Sequence, residues 1–281
     1  MELKTQVYQK ENTLSIRRLL KDSIVDIYRS RFLARQLAVR DIKAQYRQSY
    51  LGLLWAFANP LATAMVWIFL NNSGTIRVTD TGVPYPLFAF TGTLIWSIIS
   101  ESINSPIQST TSARSIISKI NFPKEALIVS GIYKLMVNTG IKTLLLIFFL
   151  IFFDIGFHPS QLLFPVAILG AVLFGSTIGL LITPLGMLYK DVGKAISFGL
   201  QFLMYATPVV YAIPKDGFIK ELMEANPITP IIMVARDTLV AGEFAYLTYF
   251  LIVIALCVPL FFLALIFYRM SIPVIVERIN A

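Results

Sequence analysis

The stretch LLFPVAILGAVLFGSTIGLLITPLGML, Leu162 to Leu188, holds 27 residues and not one charge. An α-helix rises about 1.5 Å per residue, so roughly 20 apolar residues cross the ~30 Å hydrocarbon core of a bilayer. This run spans with length to spare. Five more continuous apolar runs flank it: Leu51 to Leu70, Tyr85 to Ile103, Ala126 to Phe153, Ala195 to Ile213 and Tyr246 to Tyr268. Of 281 residues, 56% are hydrophobic and 14% charged, with a mean hydropathy of +0.71, whereas soluble domains carry about 25% charged residues. A water-soluble fold with so little charge could not cover its surface. The expected fold class is therefore all-α: an integral membrane protein of six transmembrane helices. Its expected domains are a cytoplasmic N-terminal segment over 1–50, a six-helix membrane domain over 51–270 and a cytoplasmic tail over 271–281.

The formal net charge is +8, and eleven of the 24 basic residues precede Leu51. Anionic headgroups on the inner leaflet account for that clustering, so nucleic acid is not an expected partner. With both termini placed in the cytoplasm, the inner segments hold eighteen Lys and Arg. The outer ones hold four: Arg77, Lys215, Lys220 and Arg236. Basic residues favour the inner face, and this asymmetry sets the orientation expected in a cytoplasmic membrane. The polar first fifty residues lack the apolar core of a cleavable signal, so the first apolar helix is expected to act as the insertion signal.

Tyr28 to Arg47 reads as a helix lying along the membrane surface. Arg29, Gln36, Arg40, Lys43 and Arg47 form a basic stripe, and Tyr28, Phe32, Val39, Ile42 and Tyr46 share a neighbouring apolar face. An interfacial helix needs this split, with its oily side in acyl chains and its cations among phosphates. The bland reading is simple anchoring; the functional one is a bed for an anionic lipid or a docking surface. Pro60 inside the first run implies a kink. Lys134, Asn138 and Lys142 recur every four residues on the third run, which makes one polar stripe. An ammonium at mid-membrane costs ~2.5–3.5 kcal/mol on insertion scales, so Lys142 must meet water, a counter-ion or a substrate. Lining a passage and snorkelling to the surface are the two readings, and the first is favoured for Lys142.

Aromatic residues make up 13% of the chain, with Tyr85, Phe88, Phe90 and Trp96 on the second run and Tyr205 and Tyr211 on the fifth. Such faces can stack on sugar rings, although interfacial belts and packing explain most of them. The outer segment from Pro214 to Ala245 has apolar pieces too short to span, broken by Pro227, Pro230 and Gly242. They either re-enter the membrane part-way or lie on its outer face.

Several chemistries have no residues to perform them. The one Gly-Lys pair, Gly193-Lys194, is followed by Ala195 and lacks the earlier glycine of a phosphate-binding loop. Cys257 is the single cysteine and His158 the single histidine, so no metal site is expected. Glu101 is a lone acid in the second span rather than half of a catalytic pair.

One ordered set of short motifs remains. Arg40-Asp41-Ile42-Lys43 is followed by Tyr46-Arg47-Gln48-Ser49-Tyr50-Leu51-Gly52, then Trp55 and Pro60. Ile120-Asn121-Phe122-Pro123 falls between spans two and three, and Tyr189-Lys190-Asp191 between spans four and five. Thr207-Pro208-Val209 with Tyr211 closes span five, and Asn226-Pro227 with Arg236 lies in the outer segment. This order resembles the type-2 ABC-transporter permeases that export O-antigens, capsular polysaccharides and teichoic acids. That family usually has arginine where this chain has Lys190.

The resemblance implies a non-enzymatic permease that works as a homodimer with two ATP-binding cassette ATPase subunits. ATP and magnesium would bind only on those partners, with no cofactor on this chain. Phe122 and Pro123, with Tyr189, Lys190 and Asp191, would touch the ATPases. Arg40, Lys43 and Arg47 would lie on the interface helix, and Asn226, Pro227 and Arg236 would form the outer gate. A polyprenyl-diphosphate-linked glycan would pass Tyr85, Trp96, Lys142, Tyr205 and Tyr211. Two other functions share parts of the pattern. One is an ABC-type permease for a small drug or a lipid without sugars. The other is a membrane-embedded lipid-linked sugar transferase, which would need surface carboxylates that this chain does not offer.

Overall fold

Apolar helices in a bilayer associate through close packing rather than by hiding oil from water, and small residues permit the closest approach. The Leu162–Leu188 run contains such a row: Ala171, Gly175, Gly179 and Thr183 recur every four residues, on one helix face. The structure, a computed structural model, describes residues 15–46, 55–74, 83–117, 119–120, 122–240 and 242–280. It sets that face against the helix formed by the second run. A Cβ added at Gly175 would stand 2.4 Å from Ser102 Cβ, and one at Gly179 would stand 2.3 Å from the Ile103 carbonyl oxygen. Neither position has room for a larger residue.

The elements in order are α1 (Ile16–Arg29), α2 (Arg31–Tyr46), α3 (Trp55–Asn72), α4 (Tyr85–Ser112), α5 (Arg114–Ile117) and α6 (Glu125–Phe152). A 3₁₀ turn (Pro159–Leu163) leads into α7 (Phe164–Leu188), followed by α8 (Lys190–Tyr205), α9 (Phe218–Ala225), α10 (Ile228–Val240) and α11 (Leu247–Asn280). No strand occurs among the described residues. Helix α4 is the centre of the bundle: it packs most extensively on α7 and also meets α6, α3, α8 and α10. Helix α11 covers the other side of α7, and α2 lies on α6. One apolar core joins α4, α7 and α10. A second joins Leu37, Leu127, Ile128, Met187, Leu265 and Tyr268 near α1 and α2, the basic end of the bundle.

Four helical stretches among the described residues are long and apolar enough to cross a membrane: Tyr85–Ser112, Glu125–Phe152, Pro159–Leu188 and Leu247–Arg278. Their burial separates core from periphery. The apolar window of α4 is 78% buried and that of α6 only 28%. Leu144, Phe148 and Ile151 on α6 and Leu251, Leu256 and Leu263 on α11 face outward. These are the oily surfaces that a bilayer would cover.

The first and fifth runs are shorter helices. Helix α3 has 18 residues and continues through Pro60; the run's start, residues 51–54, lies outside the described residues. Helix α8 has 16 residues, about 24 Å at 1.5 Å per residue, and ends at Tyr205, so the remainder of that run forms turns rather than helix. The expected surface helix from Tyr28 is broken. The Ser30 hydroxyl donates to the Asp26 carbonyl at 2.6 Å, its N–H bonds the same oxygen, and α1 stops at Arg29. A side chain that competes for backbone acceptors ends the helix there. At the other terminus α11 runs unbroken to Asn280, so residues 271–280 extend the last helix.

The α4–α7 contact should resist enlargement. Gly179→Leu is expected to lower the thermal unfolding midpoint of the detergent-solubilised protein sharply, since overpacking costs about 1–3 kcal/mol or more. Gly140→Ala, inside α6 at a position with open space around it, should leave the midpoint unchanged or slightly raised in the same measurement.

Candidate functional site

Ser97, Glu101, Asn104, Gln108 and Thr111 fall at spacings of four, three, four and three on α4, so they share one face. That face looks away from the glycine contact and towards the stripe of Lys134, Asn138 and Lys142 on α6. Between them lies a cavity of about 500 Å³, bounded on its third side by Asp41, Ala44 and Gln45 of α2. A second cavity, about 620 Å³, shares Glu101 and Asn138 with the first and continues past Trp96 and Lys142 to Trp55 of α3 and to Gln201 and Tyr205 of α8. A third, about 670 Å³, shares Asn104 and Gln108 and opens beside Arg114 and Lys194. The three adjoin along α4 as one trough, polar and apolar in near-equal parts in the first two cavities and mainly apolar in the third, inside a bundle whose outer faces are apolar.

Its depth is marked by an ion pair. Lys142 Nζ donates to Glu101 Oε1 at 2.5 Å; the lysine side chain is 0% exposed and the glutamate 37%. A buried charge persists when paired with its counter-charge. Glu101 therefore satisfies the ammonium and itself faces the trough. Read as a lone acid and a lone base on separate spans, the two give no hint of their pairing. Nothing in the sequence pairs them, since Glu101 lies near the end of its run at Ile103 and Lys142 in the middle of its own.

Of the residues expected along a passage, Trp96, Lys142 and Tyr205 line the second cavity. Tyr211 donates its hydroxyl to the Tyr205 carbonyl, and Trp67 packs its ring 6.3 Å from both tyrosine rings. Tyr85 lies apart, at the far end of α4, where its hydroxyl donates to the Val210 carbonyl at 2.9 Å.

The segments expected to form an outer gate assemble around the turn after α8. Asn226 Nδ2 donates to Thr207 Oγ1 at 2.9 Å, while its Oδ1 accepts the Ile228 N–H and so caps α10. Pro227 beside it is exposed. Arg236 points inward: it donates to the Val209 carbonyl at 2.8 Å and the Pro208 carbonyl at 3.2 Å, and its guanidinium lies 3.6 Å over the Phe88 ring. Gly92 leaves the room it needs, because a Cβ there would sit 2.4 Å from the guanidinium. Arg236 thus clamps α10 to α4 and to the turn. Helix α10 is buried against the bundle, while Phe218, Ile219 and Leu222 of α9 are exposed.

At the basic end Phe122 packs on the second apolar core, with Lys124 Nζ 4.7 Å from its ring centroid, and Pro123 is exposed. Tyr189 and Asp191 are exposed. Lys190 opens α8, and its side chain lies outside the described residues, as does Arg47. Arg40 pairs with Asp41 at 2.7 Å, and Lys43 is exposed. The face that α2 buries is Ala34, Leu37 and Ala38, which leaves Phe32 and Val39 outward. A polar knot invisible to periodicity sits behind these segments. Arg269 of α11 donates to Asp26 of α1 at 2.8 Å and also to Glu125 at the start of α6, which accepts a further bond from Ser23 at 3.2 Å.

Residues 33–240, from α2 through α10, match the family described as ABC-2 type transporter. The chain belongs to that family. Among its relatives are two proteins of Klebsiella pneumoniae named O-antigen export system permease protein RfbA. They are 27% and 28% identical over 214 residues, which cover 74% of this chain and 80% of each relative. A protein of the same name from Myxococcus xanthus is 28% identical over 211 residues, 73% of this chain and 79% of that one. The permease is accordingly a multi-pass membrane protein of the ABC-transport type, and the expected family assignment holds.

Two outcomes follow from the α10 end. Arg236→Met should cost about 1.5–3 kcal/mol, the range for hydrogen bonds to a charged group, measured as thermal unfolding in detergent. Asp237, outside the four spans, has its carboxyl pushed up to about 6: burial raises it most, the Arg236 charge lowers it, Glu243 raises it and the Phe244 N–H lowers it. The folded state then holds this proton more tightly than the unfolded one, so stability is lost as pH rises through about 6. Hydrogen exchange around residues 237–247, corrected for intrinsic rates, should therefore be faster at about pH 7.5 than at about pH 5. Asp237→Asn should remove the difference.

Proposed function

We propose that this chain is the transmembrane permease subunit of an ATP-driven exporter that moves a polyprenyl-diphosphate-linked polysaccharide, of O-antigen type, across the bacterial cytoplasmic membrane. In this reading two copies pair and bind two ATPase subunits, which carry the ATP and magnesium. Helices α3 and α8 complete six spans in that assembly, and both termini lie in the cytoplasm. The observation that carries the reading is the trough: serine, threonine, asparagine and glutamine side chains with Trp96 and Tyr205, where an apolar bundle would otherwise be dry. Hydroxyl and amide groups match the hydrogen-bonding capacity of sugars, and aromatic faces let rings slide. The names of the relatives point to the same class of cargo.

The exposed Pro123, Tyr189 and Asp191 at the basic end, together with Phe122 and Lys190, are the contacts proposed for the ATPases. Arg40, Lys43 and Arg47 would rest among lipid phosphates on the same side. Asn226, Pro227 and Arg236 would hold the outer mouth, with Tyr85 and Tyr211 beside it.

The permease should co-purify with a protein bearing a phosphate-binding loop, and ATP hydrolysis by the complex should rise when lipid-linked glycan is added. Transport by the permease alone would overturn the reading. Lys190→Glu should uncouple hydrolysis from export while membrane insertion, checked by flotation, stays intact; unchanged export would count against that contact.

A further inference from the structure

The first two cavities of the trough carry charges that balance. Across its two cavities that share Glu101 and Asn138, the ionisable lining is Asp41, Glu101, Lys134 and Lys142, two of each sign. The deepest of the four is the lysine, and it is not available: Lys142 is fully buried behind Glu101, whose carboxylate is the partly exposed member of the pair. Anything moving along the trough at that depth meets carboxylate oxygens before it can meet the ammonium. Sugar hydroxyls can donate to such oxygens, whereas a carboxylate or phosphate on the cargo is repelled by them. The unbalanced cations, Arg114 and Lys194, belong to the third cavity beyond Gln108.

Resting on the reading above, we infer that Glu101 is a selectivity residue, which screens Lys142 and restricts the trough to a polymer whose repeating units are uncharged and rich in hydroxyls. The lipid diphosphate passes this point once, whereas a charged repeat would meet Glu101 at every unit, so the penalty recurs along the chain. Replacing the carboxylate by an amide removes the charge that repels an anionic repeat at that depth.

The test uses the full chain with its ATPase in proteoliposomes and two polyprenyl-diphosphate-linked oligosaccharides of equal length, one neutral and one bearing a carboxylate on each residue. The wild-type complex should export the neutral cargo at least about tenfold faster, the effect of roughly one unfavourable like-charge contact. Glu101→Gln should abolish or invert that preference. The doubly neutral Glu101→Gln/Lys142→Met, which leaves no buried charge unpaired, should likewise lose the wild type's preference for the neutral cargo, and it serves as the measurement if the single variant does not assemble. Equal export of both cargoes by the wild type, or a preference unmoved in both variants, overturns the inference and leaves the glycan exporter standing. Export of neither cargo overturns both.

Discussion

The contact on which this structure depends is the approach of α7 to α4 at Gly175 and Gly179, where backbone lies against backbone. In lipid there is little solvophobic gain from bringing two oily helices together, so dispersion contacts at short range do the holding. Because the two helices fit this closely, α4 has a fixed face and a free face. The fixed face carries Ile99, Ser102, Ile103 and Pro106. The free face is left to the polar side chains that build the trough. The other walls of the first two cavities come from α2, α3, α6 and α8.

The polar interactions divide by purpose. Arg236 is buried and spends its guanidinium on two backbone carbonyls and an aromatic face, which holds elements in place. Asn226 does the same on a smaller scale by capping one helix while gripping the turn after another. The Lys142–Glu101 pair differs because one member faces open space. Only that pair among the three offers chemistry to a passing molecule.

How much of this was legible from residues alone depends on range. Continuous apolarity located α4, α6, α7 and α11, since length and lack of charge are local properties. Helical spacing placed Lys134, Asn138 and Lys142 on one face. Spacing says which residues look the same way, however, and not what they look at. Thus Glu101 stands alone in the sequence although it neutralises Lys142, and nothing in the outer segment's residues shows that Arg236 is buried against two carbonyls and the Phe88 ring. The break at Ser30 escaped for another reason: a serine that bonds its own preceding turn looks like any helical serine until the backbone is seen. The helix ends of the fifth run were obscured because apolarity continues past Tyr205 into turns secured by Asn226 and Arg236.

The knot at Arg269 bears on biosynthesis. Its guanidinium reaches Asp26 across 243 residues and Glu125 across 144. A ribosome supplies these groups in order, first the two acids, last the base. Until α11 is made, α1 and the start of α6 can meet only as two carboxylates around Ser23, without the cation that reconciles them. Helix α1 is thus docked by a residue of α11, and the basic end cannot set before that helix has been synthesised.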